Sequence, residues 1–159
     1  MQFDSPVLSL LFSVMRGGLP VVRCHMPSRG IDRIQAGRRA QVTFDNVRTA
    51  AHRLLGVEDS TSYGTPALKV RGKLFARLHQ DGECFVLRTS VLDRQILMQI
   101  DPETFFITDH YRGYPWVLVR FSAIQSNMLP ELLERAWRIV APKVLVAKLD
   151  EANDQESTD

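Results

Sequence analysis

The sequence predicts an α+β domain in which helices pack on one face of a mainly antiparallel sheet. Three segments carry apolar residues at the three-to-four-residue spacing of an amphipathic helix. After the first of them, short alternating segments are separated by turn residues, which is the pattern of an antiparallel meander. The order helix, meander, helix, two strands, helix lacks the regular strand–helix alternation of a parallel sheet.

The three predicted helices span 43–55, 91–100 and roughly 127–142. Ser90 is a suitable N-cap for the second helix, because its hydroxyl can accept a hydrogen bond from a free backbone N–H of the first turn. Trp137 in the third helix is expected in the core, as buried aromatics usually are. The apolar stripe of the second helix consists of Leu92, Ile96, Leu97 and Ile100.

The predicted strands alternate in side-chain character and are separated by glycine-containing or polar turns. They cover 67–70, 73–78, 83–89, 105–107 and 116–121. In the hairpin around Arg71 and Gly72, strict alternation predicts two distinct faces. The apolar face consists of Leu68, Val70, Leu74, Ala76 and Leu78. The basic face consists of Lys69, Lys73, Phe75 and Arg77.

Charge divides the chain of 159 residues into three regions. Residues 1–40 carry six Arg against two Asp, and we predict a poorly ordered leader with a possible later start at Met26. Residues 41–148 form the predicted domain, and residues 149–159, with five acids and no base, form a predicted disordered tail. The two cysteines, Cys24 and Cys84, are few enough to indicate a reducing cytoplasm and no structural disulfide.

Several motifs resemble the MmcQ/YjbR family over roughly residues 43–145. They are TSYGTPALKVRGKLFARL at 61–78, DPETFF at 101–106, HYRGYPW at 110–116 and the dipeptide AW at 136–137. The resemblance implies a five- or six-stranded antiparallel sheet with helices on one face, similar to secretion chaperones, in a small cytoplasmic bacterial protein. Members of this family are commonly labelled DNA-binding, and the resemblance brings no catalytic residues with it.

DNA binding is the first functional hypothesis, and it depends on a basic, aromatic sheet face. Cations would contact phosphates, and aromatic rings would stack on bases. The net charge of only +2 gives this hypothesis modest electrostatic support. The candidate residues are Lys69, Lys73, Phe75, Arg77, Arg88, Arg112 and Arg120, with Tyr111, Tyr114 and Trp116 as further stacking platforms.

A pocket for a small ligand, a peptide or a protein segment is the alternative hypothesis. Apolar walls with a few polar groups are the usual composition of a ligand site. The candidate lining residues are Tyr63, Lys69, Phe75, His110, Tyr111 and Trp116. The simpler interpretation of both sets is that the aromatics belong to the core and the cations to a solvated surface.

Enzymatic activity is not expected from the sequence. Ser60, Ser62, Asp109 and His110 are residue types of a hydrolytic triad, but the Gly-x-Ser-x-Gly motif is absent. The four histidines show no recognised metal-ligand spacing among themselves or with the cysteines, and no phosphate-binding loop occurs. We therefore expect no cofactor and no metal from the sequence alone.

Overall fold

The computed structural model describes residues 41–156, which form a six-stranded antiparallel sheet and four helices. This confirms the predicted α+β class. The helices are α1 (Phe44–Ala51), α2 (Val91–Ile100), α3 (Leu129–Val140) and α4 (Lys143–Glu156). The strands are β1 (Val57–Ser62), β2 (Thr65–Val70), β3 (Lys73–Leu78), β4 (Cys84–Arg88), β5 (Phe105–Phe106) and β6 (Trp116–Arg120). Two 3₁₀ turns cover Asp109–Tyr111 and Ser126–Met128.

The sheet order is β1-β2-β3-β4-β6-β5, and every neighbouring pair is antiparallel. The first four strands form the meander that the sequence predicts. Two of its hairpins turn at residue pairs with positive φ, Tyr63 with Gly64 and Arg71 with Gly72. Two-residue turns of this backbone shape match the right-handed twist of the flanking strands.

Helix α3 provides the main cover on one side of the sheet. It packs against β3, β4 and α1, and its inward side chains are buried. Trp137 is fully buried, and its Nε1–H donates a hydrogen bond of 3.0 Å to the carbonyl oxygen of Leu55. The predicted core position of Trp137 is therefore confirmed. Its ring joins α3 to the chain between α1 and β1.

The β2–β3 register differs from the strict alternation that the sequence predicts. Leu68 lies opposite Ala76, but the next residue, Lys69, lies opposite Leu74, so β3 contains one extra residue at Phe75. A bulge of this kind reverses the relation between sequence parity and sheet face. The predicted faces are therefore wrong at the start of β3, because cross-strand partners share a face: Lys73 lies opposite the buried Val70, and Leu74 lies opposite Lys69. The remaining positions keep their predicted sides, with Leu68, Val70 and Ala76 on one face and Lys69 and Arg77 on the other.

Helix α2 has the predicted bounds and cap but a different buried face. The hydroxyl of Ser90 accepts a hydrogen bond of 3.0 Å from the backbone N–H of Asp93, as expected of an N-cap. The predicted apolar stripe is largely exposed, with Leu92 at 64% and Ile100 at 41%. The buried positions are Arg94 and Leu97. A buried arginine is rare unless its donors are satisfied, and its partners are described with the site below.

The two ends of the domain also depart from the predicted boundaries. Helix α1 ends at Ala51 rather than at residue 55, and the following residues form turns before β1. The predicted disordered tail is helical in its first part, because α4 continues to Glu156. An ion pair of 2.6 Å joins Arg138 on α3 to Asp150 in this part of α4. The predictions for residues 1–40 lie outside the described residues.

Within residues 41–156, no helix has the length and apolar character that crossing a bilayer requires.

Candidate functional site

A cavity of about 290 Å³ opens on the sheet face that α3 leaves free. We call it the aromatic cavity. Strands β3, β4 and β6 form its floor, the β1–β2 turn one side, and the segment before β6 the other. Its lining residues are Tyr63, Leu74, Arg77, Val86, His110, Tyr111, Tyr114 and Trp116. Its volume is at the lower limit of typical small-molecule pockets, which begin at about 300 Å³.

The floor of the aromatic cavity follows directly from strand pairing. Arg77 on β3 lies opposite Val86 on β4, and Val86 lies opposite Leu118 on β6. Cross-strand partners project from the same face, so these side chains form one row. The bulge at Phe75 brings Leu74 to this face as well, since Leu74 and Arg77 both line the cavity although they are three residues apart.

Residues 107–115 cover this face of the sheet and form one wall of the cavity. Tyr111 lies in a small core with Cys84, Val86 and Leu118. His110 and Tyr114 remain exposed at the rim, and the His110 ring meets the Tyr111 ring edge-on at 4.9 Å. The backbone hydrogen bonds within this segment are all short-range, such as those from the Tyr111 N–H to the Thr108 carbonyl and from the Tyr114 N–H to the Tyr111 carbonyl. A side chain from outside the segment adds further support.

Arg94 on α2 supplies that support. Its Nη1 donates hydrogen bonds to the carbonyl oxygens of Tyr111 at 3.1 Å and Tyr114 at 2.5 Å, and its Nη2 donates to that of Arg112 at 3.2 Å. Arg94 is only 7% exposed. Three carbonyl acceptors offset part of the cost of burying its charge, because hydrogen bonds from ionised donors are the strong ones. Arg94 is therefore a positioning residue for the cavity wall.

Arg77 is buried in the floor with far fewer partners. It is 7% exposed, and its Nη2 donates a short hydrogen bond to the Tyr111 hydroxyl. Its Nη1 makes a long contact of 3.4 Å with the carbonyl oxygen of Leu78. None of the ion pairs found among residues 41–155 involves Arg77. A guanidinium has five N–H donors, so this buried cation lines the cavity with unused donors and with no counter-charge from the described residues.

Aromatic rings lie beside two of the cations of this face, Arg77 and Arg88. The guanidinium of Arg77 is 5.0 Å from the centre of the Tyr63 ring, and that of Arg88 is 5.2 Å from the centre of the Trp116 ring. Arg88 is half-buried, and its Nε has no hydrogen-bond partner among the described residues. Tyr63 is 78% exposed and has a φ of 53°, which is uncommon for a bulky residue. The turn thus holds an exposed ring against the buried Arg77.

The predicted DNA-binding residues do not all lie on one surface, although strand pairing places four of them on the face of the cavity: Lys69, Arg77, Arg88 and Arg120. Lys69 shares a face with Leu74, whereas Lys73 lies on the opposite face, because the bulge changes the register between them. Phe75 is fully buried and has no exposed ring for stacking. Arg112 is exposed but pairs with Asp109 at 2.6 Å. Arg120 lies 4.0 Å from the centre of the Phe106 ring and donates to the carbonyl oxygens of Pro102 and Glu103.

The predicted pocket residues are partly brought together. Tyr63, His110, Tyr111 and Trp116 line the aromatic cavity, whereas Lys69 and Phe75 do not. The pocket hypothesis lacked Arg77, which the alternation had assigned to a phosphate-binding surface. The pocket hypothesis also lacked Arg94. An arginine in the middle of an otherwise apolar helix face is a sequence signal that could have indicated this buried residue. The binding roles of both predicted sets remain predictions.

A second group of side chains is close in space at the β3–β4 turn. His79, Asp81 and Cys84 each offer a ligand atom, and these atoms lie within 4.8 Å of one another. The histidines and cysteines show no recognised metal-ligand spacing in the sequence. The hairpin brings His79 and Cys84 together all the same, because the backbone N–H of His79 pairs with the carbonyl oxygen of Cys84 at 3.0 Å.

Cys84 is expected to be unreactive in the folded protein. Burial, followed by the nearby Asp81 carboxylate, raises the pKa of its thiol from 9.0 to about 12. Thiolates, not thiols, react with disulfide reagents, so modification of Cys84 in a Cys24→Ser chain should be slow at pH 8 and fast in urea. The measurement is the rate of reaction with a chromogenic disulfide. Rapid reaction of the native chain would contradict the buried position.

These features define a small α+β protein with one helix-covered sheet face and one face that carries an aromatic, cationic cavity. The chain belongs to the YjbR family, whose model matches residues 52–139, more than half of the chain. The fold is also found in a crystal structure of a Deinococcus radiodurans protein described as a DUF419 domain. That protein is 21% identical, with a TM-score of 0.52 over 61% of this chain and 77% of that one.

Curated relatives are similar over a shorter segment. Uncharacterized proteins of Mycobacterium tuberculosis and Mycobacterium bovis are each 46% identical to this chain over 50 residues. The match covers 31% of this chain and 39% of each relative. These relatives support the family membership and carry no described activity.

Proposed function

We propose that this domain is a non-enzymatic binding module whose aromatic cavity takes a small organic anion with a planar ring. The observation that carries the proposal is Arg77, a buried guanidinium that lines the cavity without a carboxylate partner among the described residues. A buried charge without a counter-charge lowers stability. A ligand anion would supply the missing counter-charge and accept the unused hydrogen bonds.

The aromatic walls define the rest of the ligand. The rings of Tyr63, Tyr114 and Trp116 line the cavity at its open side. A flat ring can stack against such walls while a carboxylate or phosphate reaches Arg77. The volume of about 290 Å³ favours a ligand of one or two rings over a folded peptide.

DNA binding has weaker support from the same geometry. Two of the proposed phosphate contacts, Arg112 and Arg120, are already engaged by local acceptors. Lys69 and Lys73 lie on opposite faces of the sheet. Single-stranded DNA, whose bases and phosphates also combine rings with anions, is therefore the competing ligand in the experiment.

The test compares anionic and neutral probes of the same shape. Phenyl phosphate and benzoate are titrated into the ¹⁵N-labelled chain, with benzyl alcohol as the neutral control and a short oligothymidylate as the nucleic-acid arm. The expected result is that the two anions shift the amide signals of residues around Arg77 and Tyr111, while benzyl alcohol does not. Equal binding of the neutral probe, or no binding of either anion, would overturn the proposal.

Replacing Arg77 with methionine should separate binding from folding. Removing one member of a buried charge pair typically costs at least about 2 kcal/mol of binding, so affinity for the anionic probes should fall about 30-fold or more. Stability should stay equal or rise, because methionine removes a buried charge that lacks a counter-charge. The measurements are probe titration and urea denaturation. Oligothymidylate binding that survives in Arg77→Met would favour DNA over the cavity.

A second variant tests the aromatic wall with a matched turn control. Asparagine is favoured at the first position of a turn of this type, so both Tyr63→Asn and Arg71→Asn should fold at least as well as the parent chain. Tyr63 lines the cavity and Arg71 does not. Only Tyr63→Asn should weaken binding of phenyl phosphate. An equal loss in both variants would attribute the effect to the turn instead of the ring.

A further inference from the structure

The β3–β4 turn concentrates three ligand types of a transition-metal site in six residues. His79 follows the end of β3, Asp81 lies in the turn, and Cys84 is the first residue of β4. Gly82, with a φ of 75°, lets the chain reverse within this short connection, and its N–H donates to the carbonyl oxygen of His79 at 3.1 Å. The hairpin thus places a ring nitrogen, a carboxylate and a thiol at one end of the sheet.

All three atoms lie within 4.8 Å of one another, which is close to the spacing of ligands around one small ion. His79 Nδ1 is 2.9 Å from Asp81 Oδ2, and Cys84 Sγ is 3.7 Å from the same oxygen. Zinc bonds of about 2.0 Å to nitrogen or oxygen and about 2.3 Å to sulfur, at tetrahedral angles, place neighbouring ligand atoms roughly 3.3–3.6 Å apart. Small side-chain adjustments would bring all three atoms onto such a tetrahedron.

The orientation of the His79 ring supports the binding of one ion by His79 and Asp81 together. Its Nδ1 is buried and has no hydrogen-bond partner of normal geometry among the described residues, although Asp81 is close. Burying an imidazole nitrogen without a partner is unfavourable. His79 Nδ1 and Asp81 Oδ2, which are also within ion-pair distance of each other, lie side by side as two ligands of a shared cation would.

The Asp81 carboxylate is held in place by the backbone. Its Oδ1 accepts a hydrogen bond of 2.9 Å from the N–H of Glu83, and Oδ2 faces His79. Such a bond from outside the ligand set fixes the orientation of a ligating carboxylate. Oδ1 already has this partner, so Oδ2 is the oxygen available to an ion.

We propose that His79, Asp81 and Cys84 bind a zinc ion, with water as the fourth ligand. Zinc takes sulfur, imidazole nitrogen and carboxylate oxygen together, whereas magnesium and calcium take oxygen ligands almost exclusively. Three protein ligands leave one position of the tetrahedron to solvent. The exposed side of Asp81, whose side chain is 46% accessible, gives the ion a path to the site.

Zinc binding would change the protonation of the cluster in a measurable way. The Cys84 thiol is placed to donate to the Asp81 carboxylate, with Sγ 3.6 Å from Oδ1 and 3.7 Å from Oδ2. Zn²⁺ replaces the thiol proton and forms a zinc–thiolate bond, so one proton leaves for each ion bound.

The experiment uses the full chain after treatment with a chelator. Zinc is titrated calorimetrically in two buffers of different ionisation enthalpy, which gives both the stoichiometry and the number of protons released. The expected result is one zinc per chain and about one proton released. Cobalt, used as a spectroscopic substitute, should give the intense visible bands of a tetrahedral ion and a thiolate-to-metal absorption.

Two ligand variants and two matched controls decide the assignment. Asp81→Asn changes an exposed turn residue and should preserve the fold, and Cys84→Ser removes the thiolate. Each should weaken zinc binding more than about 100-fold, because even the outer partners of metal ligands contribute about 10- to 100-fold. Circular dichroism checks that both variants fold.

The controls are Cys24→Ser, which removes the other cysteine, and His52→Gln, which removes a histidine paired with Asp59 at 3.1 Å but without a thiol. Both should keep the parent affinity. Binding that persists in Asp81→Asn and Cys84→Ser, or that is lost in either control, would overturn the zinc site. So would the absence of any cobalt–thiolate absorption. The outcome is independent of the anion proposal, which concerns Arg77 and the aromatic cavity.

Discussion

Replacing Trp137 with alanine is expected to lower the free energy of unfolding by about 3–5 kcal/mol, the usual cost of truncating a buried tryptophan. Its ring is fully buried where α3 meets the sheet, and its Nε1–H bonds the Leu55 carbonyl. A domain of this size has a total stability of about 5–15 kcal/mol, so the variant should be close to unfolding. Urea denaturation followed by circular dichroism measures the loss.

Two further variants divide this effect into its parts. Trp137→Phe keeps most of the ring but leaves the Leu55 carbonyl without its donor, which should cost about 1–3 kcal/mol. Ile139 lies two residues further along the same helix and is 46% exposed. Ile139→Ala should therefore change stability by less than about 0.5 kcal/mol. A loss below about 1 kcal/mol in Trp137→Ala would contradict the packing of α3 described above.

Replacing Arg94 with methionine is expected to damage the aromatic cavity from outside it. The change removes three hydrogen bonds from a charged donor, although the carbonyl oxygens of Tyr111 and Tyr114 each keep a backbone N–H donor. The carbonyl oxygen of Arg112 is left without a donor among the described residues, which alone costs about 1–3 kcal/mol, and we expect a total loss of about 3 kcal/mol. Residues 107–115 should then become more mobile, because Arg94 ties them to α2.

The measurements for Arg94→Met are limited proteolysis and titration with phenyl phosphate. New cleavage within residues 107–115 and loss of probe binding are expected together, since the segment forms one wall of the cavity. The matched control is Gln95→Met, which introduces the same residue at the next, exposed position of α2. Unchanged proteolysis and binding in Arg94→Met would show that the segment holds its shape without the arginine.

Comparing Arg94→Met with Arg77→Met separates structural support from ligand recognition. Arg94 has three carbonyl acceptors and supports the wall, so its loss should reduce both stability and binding. Arg77 has one hydroxyl partner and one long contact to a carbonyl, so its loss should reduce binding alone. If Arg77→Met proved as destabilising as Arg94→Met, Arg77 would be a structural residue and the proposed anion site would lose its basis.

Local signals in the sequence were sufficient for most of the helices and strands. The cap at Ser90, the turn at Arg71 and Gly72, and the bounds of β3 and α2 follow from residues that are adjacent in the chain. The motifs at 61–78 and 110–116 contributed to the prediction of the YjbR family, which the family model confirms. The first strand, β1, begins at Val57, three residues before the predicted change of pattern, because its Glu58 and Asp59 hide the alternation.

The candidate site was only partly accessible from the sequence. Four aromatic and histidine residues of the cavity were anticipated, because turns rich in such residues often form binding surfaces. The bulge at Phe75 was not anticipated, and this single extra residue exchanged the predicted faces of Lys73 and Leu74. Arg94 was not among the predicted site residues, because its three carbonyl acceptors lie 17 to 20 residues away in the chain.

The sequence by itself determined the α+β class, the antiparallel order of the meander and the membership of the YjbR family. Tertiary structure decided which cations are buried, which rings face the cavity and which three side chains meet at the β3–β4 turn. The physical reason is the range of the interactions involved. Turn and helix preferences act within a few residues, whereas the register of two strands and the partners of a buried charge are set by groups distant in the chain.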